Sequence, residues 1–215
     1  MKKLLFLCTA IAVTTTVFSQ VRLGIKGGVN FANQKIKASF MGQSAKESGD
    51  GIISFHIGGV AEIPLSPKFA FRPELLISGK GANFDGNLNG DPGTVKMRPY
   101  YLEIPLNLAF THDFPSGEHF YAGAGPSIGV GLFGKAEFEG ESDDVFQDSG
   151  FKRLDFGINL MAGVELRSGL TLGVNITPGL ANVYGQEIED FDGDIKWTNT
   201  VFCISIGYMF NRRKQ

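Results

Sequence analysis

Residues 152–167, KRLDFGINLMAGVELR, place Leu154, Phe156, Ile158, Leu160, Ala162, Val164 and Leu166 on one parity and Asp155, Gly157, Asn159, Met161, Gly163 and Glu165 on the other. A period of two belongs to a strand, whose successive side chains point to opposite faces. Such a segment needs an apolar environment along one side and a polar one along the other. Similar alternation predicts about eight strands, near residues 21–31, 52–63, 68–80, 98–111, 118–133, 152–167, 169–180 and 199–210. Their connections alternate in length: 64–67, 112–117 and 168 make tight turns, whereas 32–51, 81–97, 134–151 and 181–198 make long polar loops. Short turns on one rim and long loops on the other predict an all-β, membrane-spanning, antiparallel up-and-down β-barrel of about eight strands. Both chain ends then fall on the short-turn, periplasmic side.

Parity alone does not say which row faces inward, because a soluble barrel would put the apolar row inside. The polar-parity row of residues 120–132 helps: Tyr121, Gly123, Gly125, Ser127, Gly129 and Gly131 contain no charge and suit a crowded lumen better than a water-facing surface. The opposite row, Phe120, Ala122, Ala124, Pro126, Ile128, Val130 and Leu132, is apolar throughout. Phe69, Phe110, Phe120 and Phe210 belong to apolar rows and lie at the short-turn ends of their strands, as an aromatic girdle at one membrane interface requires.

The N-terminus agrees with export. Lys2 and Lys3 precede an uncharged, largely apolar stretch from Leu4 to Val17, and Val17 and Ser19 suit a small-residue cleavage site. Residues 1–19 are therefore expected to be a signal peptide that is removed, leaving 20–215 as a single barrel domain. Cys8 lies within the apolar stretch, so the mature chain keeps Cys203 alone and stabilisation must come from something other than an internal disulfide. Twenty-nine glycines and 19 phenylalanines accompany a near-neutral mean hydropathy, which fits strands that are half polar. A net charge of −2 argues against a nucleic-acid partner.

With the apolar rows outward, the inward set includes Arg22, Lys26, Asn30, His56, Glu62, Arg72, Glu74, Tyr101, Glu103, Asn107, Asp155, Asn159, Glu165 and Arg167. An interior closed by eight strands is only wide enough for side chains to fill it. Burying these charges is costly unless each is paired. The expectation is a plugged barrel in which Glu62, Glu74, Glu103 and Glu165 meet Arg22, Arg72 and Arg167.

Other motifs carry less. GVGLFG, with Gly129, Gly131 and Gly134, has dinucleotide-loop spacing but is followed by KAEFEGESDD, acidic and without a helix to receive a phosphate. Acids crowd two loops, Glu137, Glu139, Glu141, Asp143, Asp144 and Asp148 in one and Glu187, Glu189, Asp190, Asp192 and Asp194 in the other. The DFDGD segment lacks the full spacing of a calcium loop, so solvated surface is the reading for both. His56, His112 and His119 are the residues a hydrolytic barrel would use, and none sits in a catalytic constellation along the chain. No catalytic, cofactor or metal residue is therefore assigned.

GIKGGVNF at 24–31, YLEIPLNL at 101–108, AGAGPSIGVG at 122–131 and ISIGYMF at 204–210 resemble the outer-membrane protein β-barrel domain family that includes PorT-like proteins. The resemblance spans nearly the whole mature chain and implies an integral outer-membrane barrel of a Gram-negative envelope. Some PorT-like members are associated with protein secretion. A usual terminal strand ends on an aromatic residue, whereas Phe210 is followed by the basic tail Asn211–Gln215. The reading is a non-enzymatic barrel with long surface loops and a structural or binding role. Its partners are outer-membrane lipids and, through the loops, secretion-machinery or cell-surface proteins. A transport or secretion component is the alternative, and a membrane-bound hydrolase or acyltransferase the third class.

Overall fold

A computed structural model describes residues 21–40, 43–88, 91–138, 141–147, 150–185 and 193–210, so the expected leader and the basic tail lie outside the described residues. Eleven strands follow in order: β1 (Arg22–Phe40), β2 (Gln43–Ser48), β3 (Asp50–Ser66), β4 (Phe69–Gly79), β5 (Ala82–Leu88), β6 (Asp91–Asp113), β7 (His119–Phe138), β8 (Glu141–Asp144), β9 (Leu154–Glu165), β10 (Leu170–Pro178) and β11 (Gly193–Met209). Eight of them close a ring, β1–β3–β4–β6–β7–β9–β10–β11 and back to β1, through antiparallel ladders only. Closure leaves no free sheet edge in the membrane, where an unpaired backbone group has no water to bond.

The tight turns join β3 to β4, β6 to β7 and β9 to β10 at one rim. Gly117 and Gly169 occupy two of them with φ of 94° and 91°, a backbone region that residues with a Cβ rarely enter. At this rim the Phe210 N–H bonds the Leu23 carbonyl at 2.8 Å, so the two described chain ends meet.

The opposite rim differs from expectation. Much of what reads as loop is strand: β1 and β11 stay paired without a register break from Gly24↔Met209 to Phe40↔Gly193, well beyond the apolar stripe. The short strands β2, β5 and β8 extend the ladders of β1, β6 and β7. Apolar alternation ends where lipid ends, yet backbone pairing continues into the extracellular space.

The parity assignment holds around the ring. Ile53 and Leu154 expose 69% and 65% of their surface outward, whereas Glu62 and Asn107 are fully buried in the lumen. Phe69 and Phe110 make an edge-to-face pair at the short-turn rim, 6.0 Å between centroids, and Phe210 is exposed at the same rim beside Tyr208, as the expected girdle requires. A second aromatic set borders the other side of the apolar band. There Phe31 meets Phe202 at 6.1 Å, and Tyr100 meets both Phe55 and Phe133 at 5.5 and 5.1 Å.

Candidate functional site

The lumen is filled by ion pairs and amides in three tiers. Nearest the periplasmic rim, the Arg22 guanidinium donates to Glu62 Oε1 at 3.1 Å and to both carboxylate oxygens of Glu165, while Arg72 donates to the other oxygen of Glu62. His119 Nε2 lies 3.5 Å from Glu62, and its Nδ1 bonds Asp113 at 2.8 Å. The Arg72 guanidinium also stacks 3.9 Å from the centroid of the Tyr121 ring. Two acids and two arginines thus neutralise one another with most of their lone pairs occupied. That is the condition under which buried charge is tolerated.

The middle tier is built around one ion pair and two amide clusters. Lys26 Nζ meets Glu74 at 2.8 Å. Asn159 donates to Asn107 at 2.8 Å and accepts from Thr177 at 2.9 Å. Asn30 Nδ2 donates to Phe55 O, Ser78 Oγ and Gly79 O, leaving its Oδ1 to accept from His56 Nδ1 at 2.6 Å. That arrangement fixes the proton on Nδ1. His56 Nε2 then faces Ser205 Oγ at 2.9 Å.

Serine, histidine and an orienting amide stand here in the hydrogen-bond order of a nucleophilic triad. Among the described residues the constellation opens onto little free space. His56 and Ser205 are buried, and the cavity beside Ser205, lined by Lys26, Glu74, Tyr121 and Asn175, measures about 10 Å³, room for about one water. A Cβ on Gly28 would run into Ile204 O on the neighbouring strand and stand 2.9 Å from the His56 ring, so both the ladder and the histidine close over this position. His112 sits apart at the periplasmic turn, in edge-to-face contact with Phe114.

In the tier nearest the extracellular mouth, Lys80 Nζ bridges Glu103 at 2.6 Å and Asp155 at 2.8 Å and lies over the Tyr101 ring. Asn199 links Asp155 to Gln34. Lys80 lies outside the expected inward set, yet it rather than an arginine takes Glu103. Glu74 likewise pairs with Lys26. Arg167, expected in the lumen by parity, is exposed beside Gly117, because the turn at Gly169 carries it out of the barrel. Arg22 and Arg72 do meet Glu62 as expected.

Above this tier an apolar cluster covers the mouth. Met97, Val145, Phe151 and Val183 are buried, and Phe84, Val95, Phe146, Tyr184 and Trp197 pack against them. Trp197 centres the group, 4.9 Å from Phe151, 5.1 Å from Phe84 and 5.8 Å from Tyr184. The Asn182 carboxamide ties together the backbones beneath it: Oδ1 accepts from the backbone N–H groups of Trp197 and Tyr184, and Nδ2 donates to Ile195 O. Gly129 and Gly131, two glycines of GVGLFG, leave room for Tyr101 and Phe146 beneath the cap. No local pattern marks this cap, because its members are scattered through polar segments. Five aromatics, Phe84, Phe146, Phe151, Tyr184 and Trp197, in segments that read as loops are the available signal.

Among the described residues no group of three or more His, Cys, Asp or Glu side chains is placed to hold a metal. Residues 187–192 of the second acidic loop lie outside the described residues. Cys203 packs beside Ala32, Ile52 and Val201 on the lumen side.

An eight-stranded closed ring with an apolar exterior, two aromatic girdles and an ion-paired interior defines an integral outer-membrane β-barrel. The chain belongs to the outer membrane protein beta-barrel domain family, whose profile matches residues 15–185. It is similar in fold to Neisserial surface protein A, with 13% identity, 87% of this chain and 97% of that chain covered, and a TM-score of 0.43. The attachment invasion locus protein Ail of Yersinia pestis is similar at 11% identity, covering 86% of this chain and 99% of that one, with a TM-score of 0.36. The outer membrane protease OmpT of Escherichia coli is similar at 10% identity, covering 88% and 96%, with a TM-score of 0.35. No curated protein matches the chain.

Proposed function

We propose that this protein is a non-enzymatic outer-membrane barrel whose sealed lumen serves as a rigid support for extracellular β-hairpins that bind partners or organise the cell surface. One observation carries the reading: the interior is occupied from the periplasmic rim to the mouth by paired side chains, then covered by the Trp197 cluster. A rigid scaffold presenting variable extensions is how function is commonly placed on such folds. Residues 1–19 supply export and are removed, so the mature protein recovered from the outer membrane is expected to begin at Gln20. Reconstitution into planar bilayers tests the functional reading. Purified protein is expected to insert without stepwise conductance. Reproducible unitary steps would refute the sealed lumen and favour a transport or secretion-associated role.

A further inference from the structure

Above the membrane, β2, β1 and β11 form a three-stranded wing whose registers are continuous with the barrel. Odd-numbered residues of β1 face outward from Leu23 to Phe31, and because the β1–β11 ladder has no register break, Asn33, Lys35, Lys37 and Ser39 continue that outward face. Lys37 stands directly opposite Lys46 of β2 on one side and Lys196 of β11 on the other. Lys35, one step below on the same face, is flanked by Ser48 and Thr198. All four lysines are exposed.

Directly opposed residues on one face have Cβ atoms about 4.5–5.5 Å apart, and like charges there are destabilising. Three ammonium groups in one cross-strand row concentrate positive charge that a bound anion would relieve. Among the described residues no carboxylate oxygen comes within 4.0 Å of any of the four. The one carboxylate placed on the wing's outward face is Asp194, opposite Ser39 and a step beyond the row. On the β6–β7–β8 extension each lysine has an acid directly opposite: Lys135 stands between Asp144 and Arg98, and Lys96 stands opposite Glu137.

Position points to the class of anion that fits the row. Phe31 and Phe202 mark the upper edge of the apolar band on these strands. At about 3.3 Å per residue and a strand tilt of about 40°, Lys35 and Lys37 lie roughly 10–15 Å above that pair, within reach of a headgroup layer and on the side of the wall that faces it. Basic clusters at that depth recognise anionic headgroups. We propose that the outward face of this wing binds the phosphate-bearing headgroups of glycolipids in the surrounding outer leaflet, with Lys35, Lys37, Lys46 and Lys196 as the phosphate contacts and Ser48 and Thr198 as neighbouring hydroxyl donors.

The test uses the full mature chain in neutral maltoside micelles, titrated with bis-phosphoryl lipid A and with fully dephosphorylated lipid A. The native protein is expected to prefer the bis-phosphoryl form about tenfold or more, with the preference falling as salt is raised. K35Q/K37Q/K46Q/K196Q is expected to lose the preference while keeping the compact gel mobility of a folded barrel. Lys37→Glu separates binding from structure: an acid between two lysines relieves the repulsion and protects the wing from proteolysis, yet lowers the preference several-fold. Equal binding of both lipids by the native chain would overturn the proposal, as would an unchanged preference in the quadruple or Lys37→Glu variant. Displacement of lipid A by inositol hexaphosphate at equal concentration would also overturn it, since it would make the row a site for soluble polyanions.

Discussion

Lys80→Met removes the cation that bridges Glu103 and Asp155 and leaves two carboxylates facing each other. Lys80, Glu103 and Asp155 are 4%, 7% and 3% exposed, so none regains much solvation when the lysine goes. Removing one partner of a buried pair costs about 3–5 kcal/mol, most of it from the charge left behind. Two acids lose their partner here, which argues for the upper half of that range. With a urea dependence near about 3 kcal/mol per molar for a chain of this size, the unfolding midpoint should fall by about 1–2 M. The assay is urea unfolding in phospholipid vesicles, followed by circular dichroism of the sheet and by gel mobility. K80M/E103Q/D155N should recover most of the loss, because neutralising the whole cluster removes the desolvation cost together with the attraction. A Lys80→Met midpoint within about 0.3 M of the native value would refute the reasoning and mean that water reaches this tier.

Three further outcomes follow from the same geometry. Ile158→Arg puts a charge on the lipid face near the middle of β9 and should hinder insertion by about 2–4 kcal/mol, measured as the folded fraction recovered in vesicles. Gly157→Arg, one residue away, should instead fail by overfilling the lumen, where even a Cβ would sit 2.7 Å from Pro178 O; the two variants folding as readily as the parent would contradict the assignment of faces. Trp197→Ala removes the centre of the cap and should speed proteolytic cutting of the extracellular segments at least several-fold while the membrane ladders keep their hydrogen-exchange protection; unchanged cutting would show that the cap does not hold those segments. His56→Ala strands Asn30 Oδ1 and Ser205 Oγ and should cost about 1–3 kcal/mol in the same urea assay. Turnover of phospholipid or peptide by the native protein, lost in this variant, would show the Ser205–His56–Asn30 arrangement to be catalytic.

The membrane part of this fold is legible in the chain because lipid imposes a rule on every second residue. Leu154 to Leu160 and Asp155 to Asn159 declare their faces without any knowledge of their neighbours. What lies above the membrane is not declared that way. Lys35, Lys37 and Lys196 face headgroups and water rather than acyl chains, so the alternation fades although β1 and β11 remain paired. Partner choice in the lumen is equally hidden, because it depends on the stagger between strands. That stagger brings Lys26 to Glu74 and Lys80 to Glu103, where simple charge counting suggests arginines. Arg167 shows the converse: its parity points inward, but the turn around Gly169 ends the strand before parity applies. The cap needs three separate segments to converge on Trp197, and no local pattern encodes such a meeting.

The division of the wall into a face for acyl chains and a face for paired charge can be read directly by fluorescence. Trp197 is the chain's lone tryptophan and sits in the cap, away from the apolar band. The native protein and an Ile158→Trp variant carrying Trp197→Phe are reconstituted in vesicles whose lipids are brominated at mid-chain. Strong quenching at position 158 together with little quenching of Trp197 is the expected result. A dark Trp197 beside an unquenched tryptophan at 158 would contradict it, and with it the arrangement of the whole barrel.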